Sequence, residues 1–319
     1  YEICLGLGEA ETNIILKMIS AIISTYNREK YLPKLFRSIS KQDYLNFEII
    51  IIDNNSPGNT KELTEGFIKN NPKLKIKYFL ETKQGLSFGR NRGIKEANGD
   101  FIIFLDDDAF ISNNYFYRIS FYFKQYSDVM AIGSKILLDY ESIIPKWENP
   151  YLNSLLGYFN LGNDVKYFKG NNYPRGSNMS FRKEVFNLVG LFNTRLGRIG
   201  NELGGGEEKD IFQRIYNEKL NVLYVPDAVV YHSVPTKRTT VSFIRKQAIG
   251  TGEGEYLRVK NEGAISLAKR ILQEILKWCF SLVLLFWYFI TLRSEKGWMI
   301  IRFRFWVTKG LINFKFYNE

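Results

Sequence analysis

Sulfur and imidazole chemistry are almost missing from this chain of 319 residues. Its two cysteines, Cys4 and Cys279, sit near opposite ends, in no CxxC pair and beside no histidine cluster. That excludes a disulfide framework and a cysteine zinc site, and fits a reducing compartment. Histidine occurs once, as His232. Acidic residues thin out towards the end: from Lys237 to Glu319 there are 15 Lys and Arg against 6 Glu and no Asp, so +9 of the net +11 lies there. No secretory signal pattern opens the chain. Residues 1–17 lack an initiator Met, whereas Met18 directly precedes the first strand-like run, so 1–17 is expected to be a leader or added extension.

What is present is a globular composition, 45% hydrophobic and 24% charged, which suits one large domain with an appendage. The basic excess belongs to the appendage. There Trp278 to Leu292 carries no charge, and Arg293, Arg302, Arg304 and Lys309 follow among Trp298, Phe303, Phe305 and Trp306. Basic and aromatic residues beside an apolar run point to an anionic membrane surface and away from nucleic acid. The run of 15 residues is shorter than the roughly 20 that span a bilayer. A helix lying in or dipping into the interface is therefore expected, with a buried core helix and a true span as alternatives. The expected boundaries are a folded domain at 18–240 and a basic, aromatic helical tail at 241–319.

Within 18–240, Ile19 to Ser24 and Phe47 to Ile52 are β-branched runs ending in polar residues, as buried parallel strands do. Tyr31, Leu32, Leu35, Phe36 and Ile39 recur between them at helical spacing. A helix with Leu63 and Phe67 follows, then a strand around Ile76, Tyr78 and Leu80, a helix over 87–97, and the strand Phe101 to Leu105. This alternation predicts an α/β fold with a mostly parallel sheet, whose ligands sit at the carboxyl ends of the strands. Ser24-Thr25, Asp53-Asn54-Asn55 and Asp106-Asp107-Asp108 each fall at such an end.

Three carboxylates after FIIFL suit a hard divalent cation bridging a diphosphate, with a solvated acidic turn as the alternative. Asp53 can accept a hydrogen bond from a base or ribose, or close an Asx turn. His232, in VVYHS, is open between a structural role and a metal ligand beside carboxylates. Glycines 204–206 lead into Glu207, Glu208 and Asp210 at a helix start; glycines admit close substrate approach, and one carboxylate there can act as a general base. Arg90 and Arg92, in GRNRG, offer planar bidentate contacts to pyrophosphate, one of the two being expected to remain a surface charge.

Taken in order, ISTYNR, IIIDNNS, GLSFGRNRGIKEANGDFIIFLDDDA, RGSNMSFRKEVF, GGGEEKDIFQR and VVYHS make the chain from Met18 to about Pro235 resemble the family 2 glycosyltransferases of the GT-A fold. The resemblance implies an inverting, metal-dependent sugar transfer from a UDP-, dTDP- or GDP-sugar to a hydroxyl of a glycan or lipid-linked acceptor. It implies that Thr25 and Asp53 contact the nucleoside, that Arg90 lies by the donor, and that Asp106 and Asp108 end a DxD motif with Asp107 between them. Asp108 would hold Mn2+ or Mg2+, with His232 as a further ligand. Gly176, Ser177 and Asn178 fall where family members approach the donor sugar or acceptor, and Gly205 and Gly206 where the acceptor would pass.

Glu208 stands where the family usually has the catalytic aspartate, so Glu207 and Asp210 remain alternates for the base. The combination implies a cytoplasmic enzyme held peripherally or monotopically at the inner face of the plasma membrane. A sugar nucleotidyltransferase should carry a basic glycine-rich loop after the first strand, where this chain has STYNRE. A non-catalytic binding protein of the same fold would tolerate loss of Glu208.

Overall fold

The computed structural model describes residues 17–170, 172–200, 205–260 and 264–313. Cys4, Gly204 and nearly all of the expected leader lie outside the described residues. In chain order the elements are β1 Ile19–Thr25, α1 Leu32–Ile39, β2 Phe47–Asp53, α2 Thr60–Asn70, β3 Lys75–Leu80, α3 Leu86–Glu96, β4 Phe101–Asp106, β5 Ala109–Ile111, α4 Tyr115–Gln125, β6 Val129–Tyr140, β7 Lys166–Tyr167, β8 Met179–Arg182, α5 Val185–Val189, α6 Glu207–Asn217, β9 Asn221–Val234, α7 Val241–Lys260, α8 Ala264–Ile290 and α9 Ser294–Asn313.

The described strands form one sheet in the order β3-β2-β1-β4-β8-β6-β9-β5, with β7 paired to β9. The β1, β2, β3 and β4 pairings are parallel, whereas β8 runs antiparallel to β4 and β6. This is the expected mixed α/β sheet with flanking helices. Every residue of β2 is buried, as both faces of a central parallel strand must be, and each fully buried isoleucine there contributes on the order of 1.5–3 kcal/mol. Close packing of α3 on β1 depends on Gly89, where a methyl group would lie 2.1 Å from Ser24 Oγ. Without that approach α3 could not bring its next residue, Arg90, to the sheet edge.

The chain divides into two compact units, one containing residues up to Ile136 and Asn160–Tyr231, the other Leu137–Phe159 and the chain from His232 onward. Residues 137–159, expected within the 18–240 domain, thus group with the C-terminal helices. Trp147, Leu152 and Leu156 share a buried apolar cluster with Ile244, Leu284, Met299 and Ile300. In α8 the charge-free run is the second half of a longer helix. Its first half tolerates charge because buried Glu274 accepts from Arg270 at 2.9 Å and Arg304 at 3.2 Å. Ala268–Ile290 is long and apolar enough to cross a membrane, and only 11% of its apolar window is buried, unlike the core helix of a globular domain.

Candidate active site

Register places the site residues. Thr25 pairs with Asp53 across β1 and β2, and Ser24 with Asp106 across β1 and β4, so three strand ends deliver their polar residues to one edge. Asp53 is buried. Its Oδ1 accepts the Ser56 backbone N–H at 2.9 Å, the Asx-type closure, and its Oδ2 accepts the Tyr78 hydroxyl at 2.8 Å. Burial and the Asp53 carboxylate together raise the Tyr78 pKa, so that hydroxyl stays protonated and donating. Asn54 secures the neighbouring loop by accepting from Gly85 N–H at 2.7 Å and donating to the Lys83 carbonyl at 2.7 Å.

The three aspartates after β4 have different surroundings. Asp107 is buried; it accepts from Thr25 Oγ1 at 2.8 Å and pairs with Arg28 Nε at 3.1 Å. Arg28 also pairs closely with Asp108 through Nη2 and lies 4.8 Å from the Tyr31 ring. Burial drives the Asp107 pKa upward, against Arg28 and with the like charge of Asp108. Asp106 is the open member, its side chain 37% exposed and 3.7 Å from Arg90 Nη2. Arg28 was not singled out in the sequence, although it stands in the STYNR run; the available signal was the need of three adjacent carboxylates for a nearby cation.

Arg90 is the hub. Its side chain is only 2% exposed, and its guanidinium lies 5.4 Å from the Phe192 ring and 5.9 Å from that of Phe104. Nη1 donates to Glu207 Oε1 at 3.0 Å, while Nη2 is 3.8 Å from Glu208 Oε1. Arg92 points elsewhere, bonding Glu96 at 2.8 Å on the helix surface. The two adjacent glutamates divide accordingly: Glu207 is buried against Arg90, whereas the Glu208 side chain is 26% exposed. Burial pushes the Glu208 carboxyl up to about 7, opposed by Arg90 and reinforced by Glu207 and Asp106. Asp210 turns to Arg214, bonded at 2.8 Å.

Gly176 is packed against this pair, since a methyl there would lie 2.0 Å from Glu208 Oε1 and 2.7 Å from Arg90 Nη2. Ser177 is buried beside it. The Asn178 side chain is fully buried, accepting from the Tyr115 hydroxyl at 2.6 Å and donating to Ser134 at 2.5 Å, so it anchors the Gly176–Asn178 turn from within. Gly205 and Gly206 are exposed, and a methyl at either would meet no described atom within 4 Å; Gly206, at φ +96°, caps α6 in the left-handed region.

His232 belongs to the second unit, buried beside Gly157 and with Nε2 3.5 Å from Arg238 Nη1. Among the described residues no group of three or more His, Cys, Asp and Glu side chains converges as a ready metal site. The carboxylates of Asp106 and Asp108 are nevertheless hard oxygen donors, and Arg28 already supplies positive charge at Asp108. That donor set suits Mg2+ or Mn2+ completed by phosphate and water oxygens.

Comparisons with known proteins give the family and the fold. Residues 20–190 match the family model described as glycosyl transferase family 2. The GalNAc(5)-diNAcBac-PP-undecaprenol beta-1,3-glucosyltransferase of Campylobacter jejuni is 41% identical over 92 residues, 28% of this chain and 29% of that protein. Alignments with the first three curated relatives span 29%, 50% and 21% of their lengths. Among solved structures, a mannosyltransferase of Pyrobaculum calidifontis with GDP-Man and Mn2+ is similar with a TM-score of 0.61 at 15% identity, covering 95% of this chain and 88% of that one. S. aureus TarS 1-349 with UDP gives 0.51 at 20% identity, covering 73% and 65%. With the matched region exceeding half of the chain and the fold agreeing, the chain belongs to glycosyl transferase family 2.

Proposed function

We propose that the enzyme transfers a sugar, with inversion, from a UDP-, dTDP- or GDP-sugar to a hydroxyl of a glycan or lipid-linked acceptor. The observation that carries the reading is the pairing of a partly exposed, raised-pKa Glu208 with a buried Arg90 that also faces Asp106. Glu208 takes the proton of the acceptor hydroxyl as its oxygen attacks the anomeric carbon. The opposite C–O bond breaks, its electron pair leaving with the nucleoside diphosphate. Arg90 stabilises the charge gathering on that leaving group. Asp53 and Thr25 serve the nucleoside end, Asp53 by exchanging the Tyr78 hydroxyl for a base or ribose donor.

Gly176 keeps the floor beneath Glu208 flat, Asn178 fixes that floor, and Gly205 and Gly206 leave room for the acceptor. Asp106 and Asp108, flanking Asp107, would hold Mg2+ or Mn2+. When bound, the ion neutralises negative charge on the diphosphate.

The proposal includes attachment to an anionic membrane surface at its cytoplasmic face; what supports contact with a bilayer is the exposed apolar side of α8, where Phe286 and Trp287 are 67% and 61% exposed. The acceptor class is supported by the Campylobacter jejuni relative, named for a PP-undecaprenol-linked substrate. The test is nucleoside diphosphate release from the three donor classes with Mn2+, Mg2+ or EDTA, comparing wild type with Glu208→Gln. Loss of turnover with donor affinity preserved by calorimetry is expected; a variant that turns over like wild type sinks the assignment. Phe286→Ser with Trp287→Ser should reduce sedimentation with anionic vesicles at least tenfold, and unchanged sedimentation would count against the α8 attachment.

A further inference from the structure

Along α9 in the second unit runs a groove of about 690 Å³. Its walls are aromatic, with Trp147, Trp278, Trp298 and Phe305 among the lining residues, and Lys146 and Arg302 supply two cations against a single carboxylate, Glu295. Lys146 lies 3.8 Å from Glu295 and so offsets that carboxylate, whereas Arg302 has no carboxylate within ion-pair distance among the described residues. A solvent-facing wall that includes Trp298 and Phe305, 54% and 56% exposed, is costly to leave against water, and a neighbouring cation without a counter-ion invites an anion.

Three observations identify the occupant. Trp278 lines the groove from α8, the helix whose Phe280, Val283, Phe286 and Trp287 are 53% to 67% exposed, so the groove and the most exposed apolar side chains of the unit share one helix. From Glu295 to Phe305 the helix rises by roughly 15 Å, half of the roughly 30 Å hydrocarbon core of a bilayer, which is the depth of one leaflet's chain. Tryptophans beside cations on long stems are the side chains that favour the boundary between acyl chains and headgroups.

We propose that this groove takes one hydrocarbon chain of a phosphate-bearing membrane lipid, with the phosphate held by Arg302. The proposal rests on the membrane attachment inferred above, and its test separates the two. The full chain is titrated with dodecyl phosphate below its micelle concentration, read by tryptophan emission, with inorganic phosphate and dodecanol as controls. Sedimentation with phosphatidylglycerol vesicles runs alongside. Saturable binding of dodecyl phosphate is expected, at least tenfold weaker in Arg302→Glu and unchanged in Phe286→Ser with Trp287→Ser, with inorganic phosphate not competing.

Arg302 and Trp298 are exposed, so Trp298→Ser gives a second groove variant that should fold; retained cooperative melting checks both. Vesicle binding without saturable dodecyl phosphate binding, or with equal affinity in both variants, overturns the groove and leaves the attachment standing. Equal competition by inorganic phosphate overturns a lipid occupant. Absence of vesicle binding removes the attachment and this proposal with it.

Discussion

If Glu208 is the base, its ionisation should set the acid limb of the rate profile. The carboxyl ordinarily titrates at 4.5 and is raised by burial to about 7, so the active, deprotonated form should be about a tenth of the enzyme at pH 6 and about nine-tenths at pH 8. The kcat/KM should therefore rise about tenfold across that interval and level off above it. Glu208→Gln, isosteric but unable to accept the proton, should lower kcat by about 10²–10⁴-fold. The same shift predicts a stability change of definite sign. Because the charged form is disfavoured in the fold, the associated stability is present below 4.5 and is lost as pH rises through about 7.

Glu208→Gln should accordingly melt like wild type near pH 4 and be more stable at pH 8, by up to about 3 kcal/mol. Coupled release of nucleoside diphosphate gives the rates, and differential scanning calorimetry the stabilities. Asp107 is also raised, so Asp107→Asn is the control: the acid limb should survive in it. A profile flat from pH 6 to 8, or a limb that disappears with Asp107, refutes the assignment of the titration to Glu208.

Gly176→Ala places a methyl 2.0 Å from Glu208 Oε1 and must displace that carboxylate; about a hundredfold loss in kcat with little change in melting is expected, and near-native turnover would refute the contact. Arg28→Gln removes the cation shared by Asp107 and Asp108, so Mn2+ affinity measured by paramagnetic resonance without donor should rise about tenfold while metal-free stability falls. Unchanged Mn2+ affinity would detach these aspartates from metal binding. Tyr78→Phe frees Asp53 Oδ2 and should tighten nucleoside diphosphate binding by about 2–10-fold, the net value of one hydrogen bond. Weaker binding would argue against Asp53 as the nucleoside acceptor.

The sheet edge was legible because its signals are local. Isoleucine runs buried on both faces end in polar residues, and parallel pairing in register then brings Thr25, Asp53 and Asp106 together without further information. Arg28 was not legible: its approach to Asp107 and Asp108 follows a left-handed residue, Asn27 at φ +52°, in a loop whose course no periodicity reveals. The division of labour between Glu207 and Glu208 was equally hidden, since adjacent helical residues point in different directions and only the position of Arg90 decides which is buried. Residues 137–159 hold isolated apolar positions in a loop, and Trp147, Leu152 and Leu156 become core only through partners distant in sequence. The charge-free count also understated α8, because Arg270 and Glu274 neutralise each other inside the helix instead of ending it.

The balance of charge at the site bears on the proposed divalent ion more directly than the DxD spacing does. At the site Asp106, Asp107, Asp108, Glu207 and Glu208 face Arg28 and Arg90, with Arg175 acting on Glu208 from farther away. A nucleoside diphosphate brings still more negative charge to an edge where carboxylates already outnumber guanidiniums. Protonation of Asp107 and Glu208 relieves part of the excess, but the proposed reaction needs Glu208 ionised at the moment of attack. The proposed divalent ion would supply the missing positive charge, and Asp106, the most exposed of the three aspartates, is the carboxylate left open to receive it. On this account, EDTA should abolish donor binding as well as turnover, whereas Glu208→Gln should abolish turnover alone. Donor affinity that survives EDTA would mean that Arg28 and Arg90 suffice to balance the site.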